Sequence, residues 1–201
     1  MVRSNLVYAI VTCQSGDVTF DFIAGRLSLD FVATVSERGT TDLERLSSPD
    51  DLADWIALAG LMQRRLTPTD TDLAAAKALR EAIFGLVTAW TRGTAPAERH
   101  RRTVNAAAAK SPPTPALTRS GHVTRAGNTD SVLALLARDA LELADSPDRA
   151  LVRWCADPSC TRPFVDRSRG HRRRWCGMRG CGDRAKAAAY RDRHRAGDSQ
   201  L

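Results

Sequence analysis

Apolar residues recur at helical spacing through most of the first 145 residues. Leu27, Phe31, Val32 and Val35 fall on one face, which predicts a helix from about Arg26. Leu52, Trp55, Ile56 and Leu58 repeat the pattern. Ser48-Pro49-Asp50 supplies the start of that second helix: a serine cap, a proline in the first turn, and acids near the positive end of the helix dipole. Gly60 should end it. Thr67-Pro68 gives another start signal, ahead of a long helix to about Thr91 whose stripe is Leu79, Ile83, Leu86, Val87 and Trp90. Residues 96–110 are alanine-rich and predicted helical, stopping where Pro112, Pro113 and Pro115 force extended backbone. Residues 116–127 read as a β-hairpin around Ser120-Gly121. Helix resumes over 129–145, with Val132, Leu133, Leu136, Ala140, Leu141 and Leu143 apolar, and Ser146-Pro147 marks a boundary.

Length and charge refine that outline. A chain of 201 residues can bury one large core and carry a small appendage. No apolar run reaches the 18 to 20 residues of a membrane span. Leu6 to Thr12 is too short for a signal peptide and lacks a small-residue cleavage site, so it reads as a short strand or a loose segment, and the expected location is the cytoplasm. The net charge of +7 is unevenly placed: residues 1–148 sum to −2, while 149–195 sum to +10. A near-neutral body with a cationic end points to a polyanionic partner for that end.

The cationic end also holds Cys155, Cys160, Cys176 and Cys181, two pairs with four residues inside each pair and fifteen between them. Two tight turns that each offer two thiolates can complete a zinc tetrahedron. Asp157-Pro158-Ser159 is turn chemistry in the first pair, and Gly177 and Gly180 let the second curl. Four thiolates leave no open position for water, so the ion would be structural. Disulfides, an iron–sulfur centre and free thiols are the alternatives; Cys13 reads as a buried or idle thiol. Residues 161–175 should form two short strands around Arg167-Ser168-Arg169-Gly170, followed by a helix that Asp183 caps. The expectation is mainly α with minor β. A helical domain over 1–148 would precede a treble-clef-like four-cysteine zinc finger of hairpin and helix over 149–196, with a flexible tail at 197–201.

Arg172, Arg173 and Arg174 fall on the expected second strand, and Arg184, Ala188, Arg191 and Arg195 on one helical face beside Lys186 and Arg193. A zinc-fixed helix bearing arginines can enter a DNA groove. The candidate nucleic-acid contacts are therefore Arg172, Arg173, Arg174, Arg184, Lys186, Arg191 and Arg195. Phe164 is expected in the finger core, Asp166 as a hydrogen-bond acceptor, and His100 and His122 at the surface. Asp21 and Asp30 could line a pocket, though such residues more often cap or face solvent.

The C-terminal segment resembles the CGNR zinc finger, with Cys181-Gly182-Asp183-Arg184 as that tetrad and Asp in place of Asn. The body resembles the ABATE domain that precedes this finger, through GRLSLDFVAT at Gly25 to Thr34 and LADWIALAGL at Leu52 to Leu61, with Ala33 where the family usually has Asn. The resemblance implies a stress-induced bacterial transcription regulator that binds DNA. The body would then sense a small-molecule effector or mediate homodimerisation. An RNA-binding zinc module is the runner-up. An enzyme with an accessory finger is the third reading, against which stands the lack of a phosphate-cradling glycine loop, a His-Glu metal motif or a nucleophile elbow.

Overall fold

The computed structural model describes residues 20–198, so the expectations for residues 6–12 and for Cys13 fall outside it. The body is built from α1 (Leu27–Val32), a small ladder of β1 (Val35–Ser36) with β2 (Leu43–Glu44), α2 (Pro49–Leu58), α3 (Asp70–Thr91) and α4 (Glu98–Ala108). It closes with the hairpin of β3 (Thr114–Leu117) and β4 (Val123–Ala126) and then α5 (Thr129–Ala144). A 3-10 turn over Pro147–Leu151 leads to β5 (Val152–Trp154), which pairs antiparallel with β6 (Pro163–Val165), and the chain ends in α6 (Asp183–Asp198). No helix among the described residues is long and apolar enough to cross a membrane.

The predicted stripes are the buried faces: Trp55, Ile56, Leu79, Ile83, Leu136 and Leu143 are fully buried. Ser48 caps α2 as expected, accepting from the Asp51 amide while Asp51 accepts from Ser48. The cap of α3 is Thr69, not Thr67. Starting there puts Leu73 in the fourth helical position, where it is buried; starting at Thr67 would put Thr71 there. The helix at Leu27 is shorter than its stripe suggested. It stops at Val32, and Val35 serves instead in a strand opposite Glu44. The cause is Arg80, only 3% exposed on α3, which grips both oxygens of Glu44 at 2.7 Å and Thr34 Oγ1 at 3.1 Å. That bidentate pair holds the ladder against α3, so residues 33–36 cannot continue as helix.

Ahead of α1, residues 20–26 form an extended strap. Phe20, Phe22 and Ala24 alternate into the core, and Phe22 meets the Trp55 ring at 5.7 Å. The other side of the strap carries the C-terminal module. The Val165 amide donates to Ala24 O at 2.8 Å, Arg173 to Ile23 O at 3.0 Å, Arg167 to Gly25 O at 3.0 Å, and Arg162 pairs with Asp21 at 2.6 Å. One continuous core accordingly runs from Trp55 and Ile83 through Val152, Phe164 and Val165 to the four cysteines.

Asp30 holds the strap from the body side. It is 1% exposed, its Oδ1 accepts the Ala24 amide at 2.8 Å, and its Oδ2 has no partner, nor does the nearby Ser28 hydroxyl. Burial raises its pKa to about 8, with Asp139 and Asp21 pushing the same way against the Ala24 and Ile23 amides. The folded chain thus keeps a proton that the unfolded chain gives up near pH 3.8, so Asp30 costs stability progressively as pH rises towards 8. At equal metal loading, the unfolding free energy of Asp30→Asn should rise relative to wild type from pH 5 to 8, by up to about 1.4 kcal/mol per pH unit. A gap between the two that stays flat with pH refutes this. Arg80→Ala should lose about 3 kcal/mol in urea unfolding, because Glu44 is left without its buried partner.

Candidate metal centre and nucleic-acid interface

The first cysteine pair sits at the end of the β5–β6 hairpin. Asp157 shapes the turn, accepting from the Ser159 amide and hydroxyl at 3.1 and 2.8 Å, while the Cys160 amide donates to Asp157 O at 2.9 Å. The hairpin therefore straddles the first pair and does not lie between the pairs as expected. Among the described residues, 166–177 hold no strand; Asp166 organises that stretch, accepting from Ser168 and from the Arg173 amide. Two cysteine turns need a ladder to hold them apart, and Val152 and Val165 are the apolar pair that buries it.

The second pair closes in one wide turn over Met178–Gly182, where only Gly180 takes a positive φ (+83°). Gly177 has an extended backbone and lies close under the strap: a Cβ there would come 2.6 Å from Ile23 Cδ1, so that side chain would have to turn aside. Asp183 does not cap α6, because its own angles (φ −71°, ψ −38°) are helical; it sits in the first turn, where its charge faces the dipole.

The four thiols converge. Their sulfurs lie within 4.8 Å of one another, with Cys160–Cys176 at 3.8 Å and Cys176–Cys181 at 3.7 Å. A tetrahedron with Zn–S bonds of about 2.3 Å has edges of about 3.8 Å, so the cluster fits one zinc ion. The spacing is far too long for a disulfide of about 2.05 Å. It also equals the edge of a single-ion tetrahedron, too small for sulfurs spread around several irons. Electrostatics agree. Cys155 is held as a thiolate by the Cys160 and Cys176 thiols, whose own pKa values rise in return, and burial with the charges of Cys160 and Cys155 pushes Cys181 up to about 12. Four such groups ionise together only around a cation. The zinc is structural: all four positions are thiolates and all four cysteines are buried.

Arg184 connects the two turns. Its guanidinium donates to Cys181 Sγ at 3.2 Å and pairs with Asp157 at 2.7 Å. Positive charge beside a tetrathiolate bearing two net negative charges stabilises the metal-bound state. Arg173 is likewise engaged. It is half-buried, donates to Trp175 O, Ile23 O and Cys176 O and lies over the buried Phe164 ring at 4.4 Å, so it pins the strap to the finger. No sequence periodicity marks it off from Arg172 or Arg174.

The remaining candidates divide by face. Arg174, Arg184, Ala188 and Arg191 line a groove between α6 and the first cysteine turn, with Trp175 beside Arg174. Lys186 and Arg193 stand on the opposite, exposed side of α6 with Tyr190. Arg172 is exposed on the loop. Arg195 lies within α6, its side chain outside the described set. Phe164 is fully buried, as expected; His122 is exposed and His100 half-buried. Asp21 edges a small polar cavity beside the cysteines, whereas Asp30 is buried under the strap.

Metal analysis should find one zinc per chain, lost in Cys176→Ser. Because the cysteines belong to the common core, chelation should lower the unfolding midpoint of the whole chain; an unchanged midpoint would show that the body ignores the metal. Arg184→Met should weaken zinc retention by about 10- to 100-fold in chelator competition without removing a ligand.

Comparison with family models matches residues 25–147 to ABATE, described as "Putative stress-induced transcription regulator", and residues 152–194 to the CGNR zinc finger. No curated protein matches the chain. The two matched segments abut the 3-10 turn at Pro147–Leu151, in the order the motifs suggested. The chain belongs to the ABATE family and carries a CGNR zinc finger after that domain.

Proposed function

We propose that the chain is a cytoplasmic transcription regulator that binds DNA through its zinc finger. One observation carries the reading. In the body, arginines paired with acids (Arg26 with Asp139, Arg38 with Glu81, Arg65 with Asp54, Arg80 with Glu44, Arg101 and Arg102 with Glu98) are interspersed with the exposed and scattered Arg64, Arg92, Arg99 and Arg119, which pair with no described acid. On the finger, Arg172, Arg174, Lys186, Arg191 and Arg193 are exposed or half-exposed, and no acid among the described residues pairs with any of them. A rigid module that leaves this many cations unmatched is suited to phosphates. Lys186 and Arg193 face away from the first cysteine turn, so that side of α6 is the one free to approach a duplex. Arg184 and Arg173, by contrast, act on the finger itself.

The body in this reading holds and orients the finger through the strap. For a small effector, the open groove of about 380 Å³ between α3 and α4, lined by Phe84, Thr88, Arg92 and His100, offers room.

Selection from a random duplex pool with zinc-loaded protein, repeated after chelation, tests DNA recognition directly. Enrichment should need zinc, and duplex should outcompete structured RNA. Affinity should fall steeply between about 50 and 200 mM salt. Each phosphate that the protein neutralises adds about 0.9 to the slope of log affinity against log salt, so Lys186→Gln/Arg193→Gln should shrink that slope by roughly two. A pool that emerges unenriched, or an unchanged slope, overturns the reading.

A further inference from the structure

The groove between α6 and the first cysteine turn is a feature of the finger that folding does not explain. Its volume is about 430 Å³, within the roughly 300–1,000 Å³ of small-molecule sites. A helix face packed on a neighbouring turn is normally filled by branched or aromatic side chains. Here the helix offers Ala185 and Ala188, which keep the space open. Trp175 stands on the groove, half-buried, with the Arg174 guanidinium 5.1 Å from its ring. A guanidinium laid over an indole makes a stacked pair whose outer faces are flat and cationic, on which a further planar group can stack.

The charge of the lining selects the occupant. Among the described residues Asp157 is the sole acid on it, and it is taken by Arg184 at 2.7 Å and by the Ser159 hydroxyl at 2.8 Å. Arg174 and Arg191 stand on the same groove, and no described acid pairs with either. A planar aromatic group carrying an anionic group fits such a lining; an acidic peptide would use the arginines but not the platform. The groove is also walled on its far side by Ala156, Pro158 and Ser159, so this face of α6 cannot lie flush in a duplex major groove.

We propose that the groove binds one unpaired nucleotide of the target nucleic acid, its base on the Trp175–Arg174 platform and its phosphate on Arg191. This rests on the nucleic-acid reading above and adds to it a site for a base outside the paired stack. The outward Lys186–Arg193 face then follows the phosphates of the flanking duplex. The two faces of α6 do different work.

The test uses zinc-loaded full-length protein and two labelled duplexes of about 20 base pairs, identical except that one carries a single bulged adenosine at its centre. Titration by fluorescence anisotropy should show the bulged duplex binding about 5- to 150-fold more tightly, since base–aromatic stacking contributes roughly 1–3 kcal/mol per base. Ala188→Leu fills the groove with a residue of good helix propensity, and should bring the ratio of the two affinities to near one. Ala187→Leu, at the exposed rim, should lower the ratio partway and serves if the first variant binds less than one zinc. Equal affinities in wild type, or a ratio that survives Ala188→Leu at full zinc content, overturn the groove site alone. If neither duplex binds, the DNA reading itself falls, and the groove proposal falls with it. Binding of an acidic peptide that displaces neither duplex would assign the groove to a protein partner instead.

Discussion

Four sulfurs less than 5 Å apart cannot all be anionic in a buried site unless a cation sits among them. Everything distinctive in the C-terminal third follows from satisfying that condition. The two cysteine turns are brought together, the β5–β6 ladder closes beneath the first, and α6 is fixed at the exit of the second. Arg184 then bridges Cys181 to Asp157 and so ties the turns by charge as well as by metal. A segment of some forty residues with three-residue strands has too little core of its own to do this unaided.

The finger is not, however, an independent appendage. Phe164 and Val165 share a core with the body, and the strap at residues 20–26 lies between the two, apolar side chains inward to Trp55 and backbone carbonyls outward to the finger. Asp30 tethers that strap with one oxygen and leaves the other unsatisfied, an arrangement the fold keeps at a cost. Because the same residues touch both modules, a rearrangement of the body near α1 reaches the zinc site through a few hydrogen bonds.

Arginine is used in three ways within one short sequence run. Arg173 holds the strap and caps the Phe164 ring; Arg184 serves the metal centre; Arg172, Arg174, Arg191 and Arg193 stay exposed with no acid partner among the described residues. Their side chains are chemically identical, so only position separates structure from recognition. An acid within reach, a carbonyl to receive the guanidinium, or a ring beneath it settles which role each takes.

Local rules were enough for much of this molecule. The helix stripes, the Ser48 cap, the hairpin around Ser120-Gly121 and the four ligand cysteines depend on spacing and on the chemistry of near neighbours, both of which a linear chain displays. The misreadings share a cause. The helix at Leu27 ends early because Arg80, 46 positions after Thr34, claims the ladder; the finger hairpin lies around the first cysteine pair because Val152 and Val165 meet the body core; and Arg173 is drawn toward Phe164 and the strap. Each of these contacts joins residues far apart in the chain, and the choice between equivalent local options was made by packing and buried charge once the fold had closed.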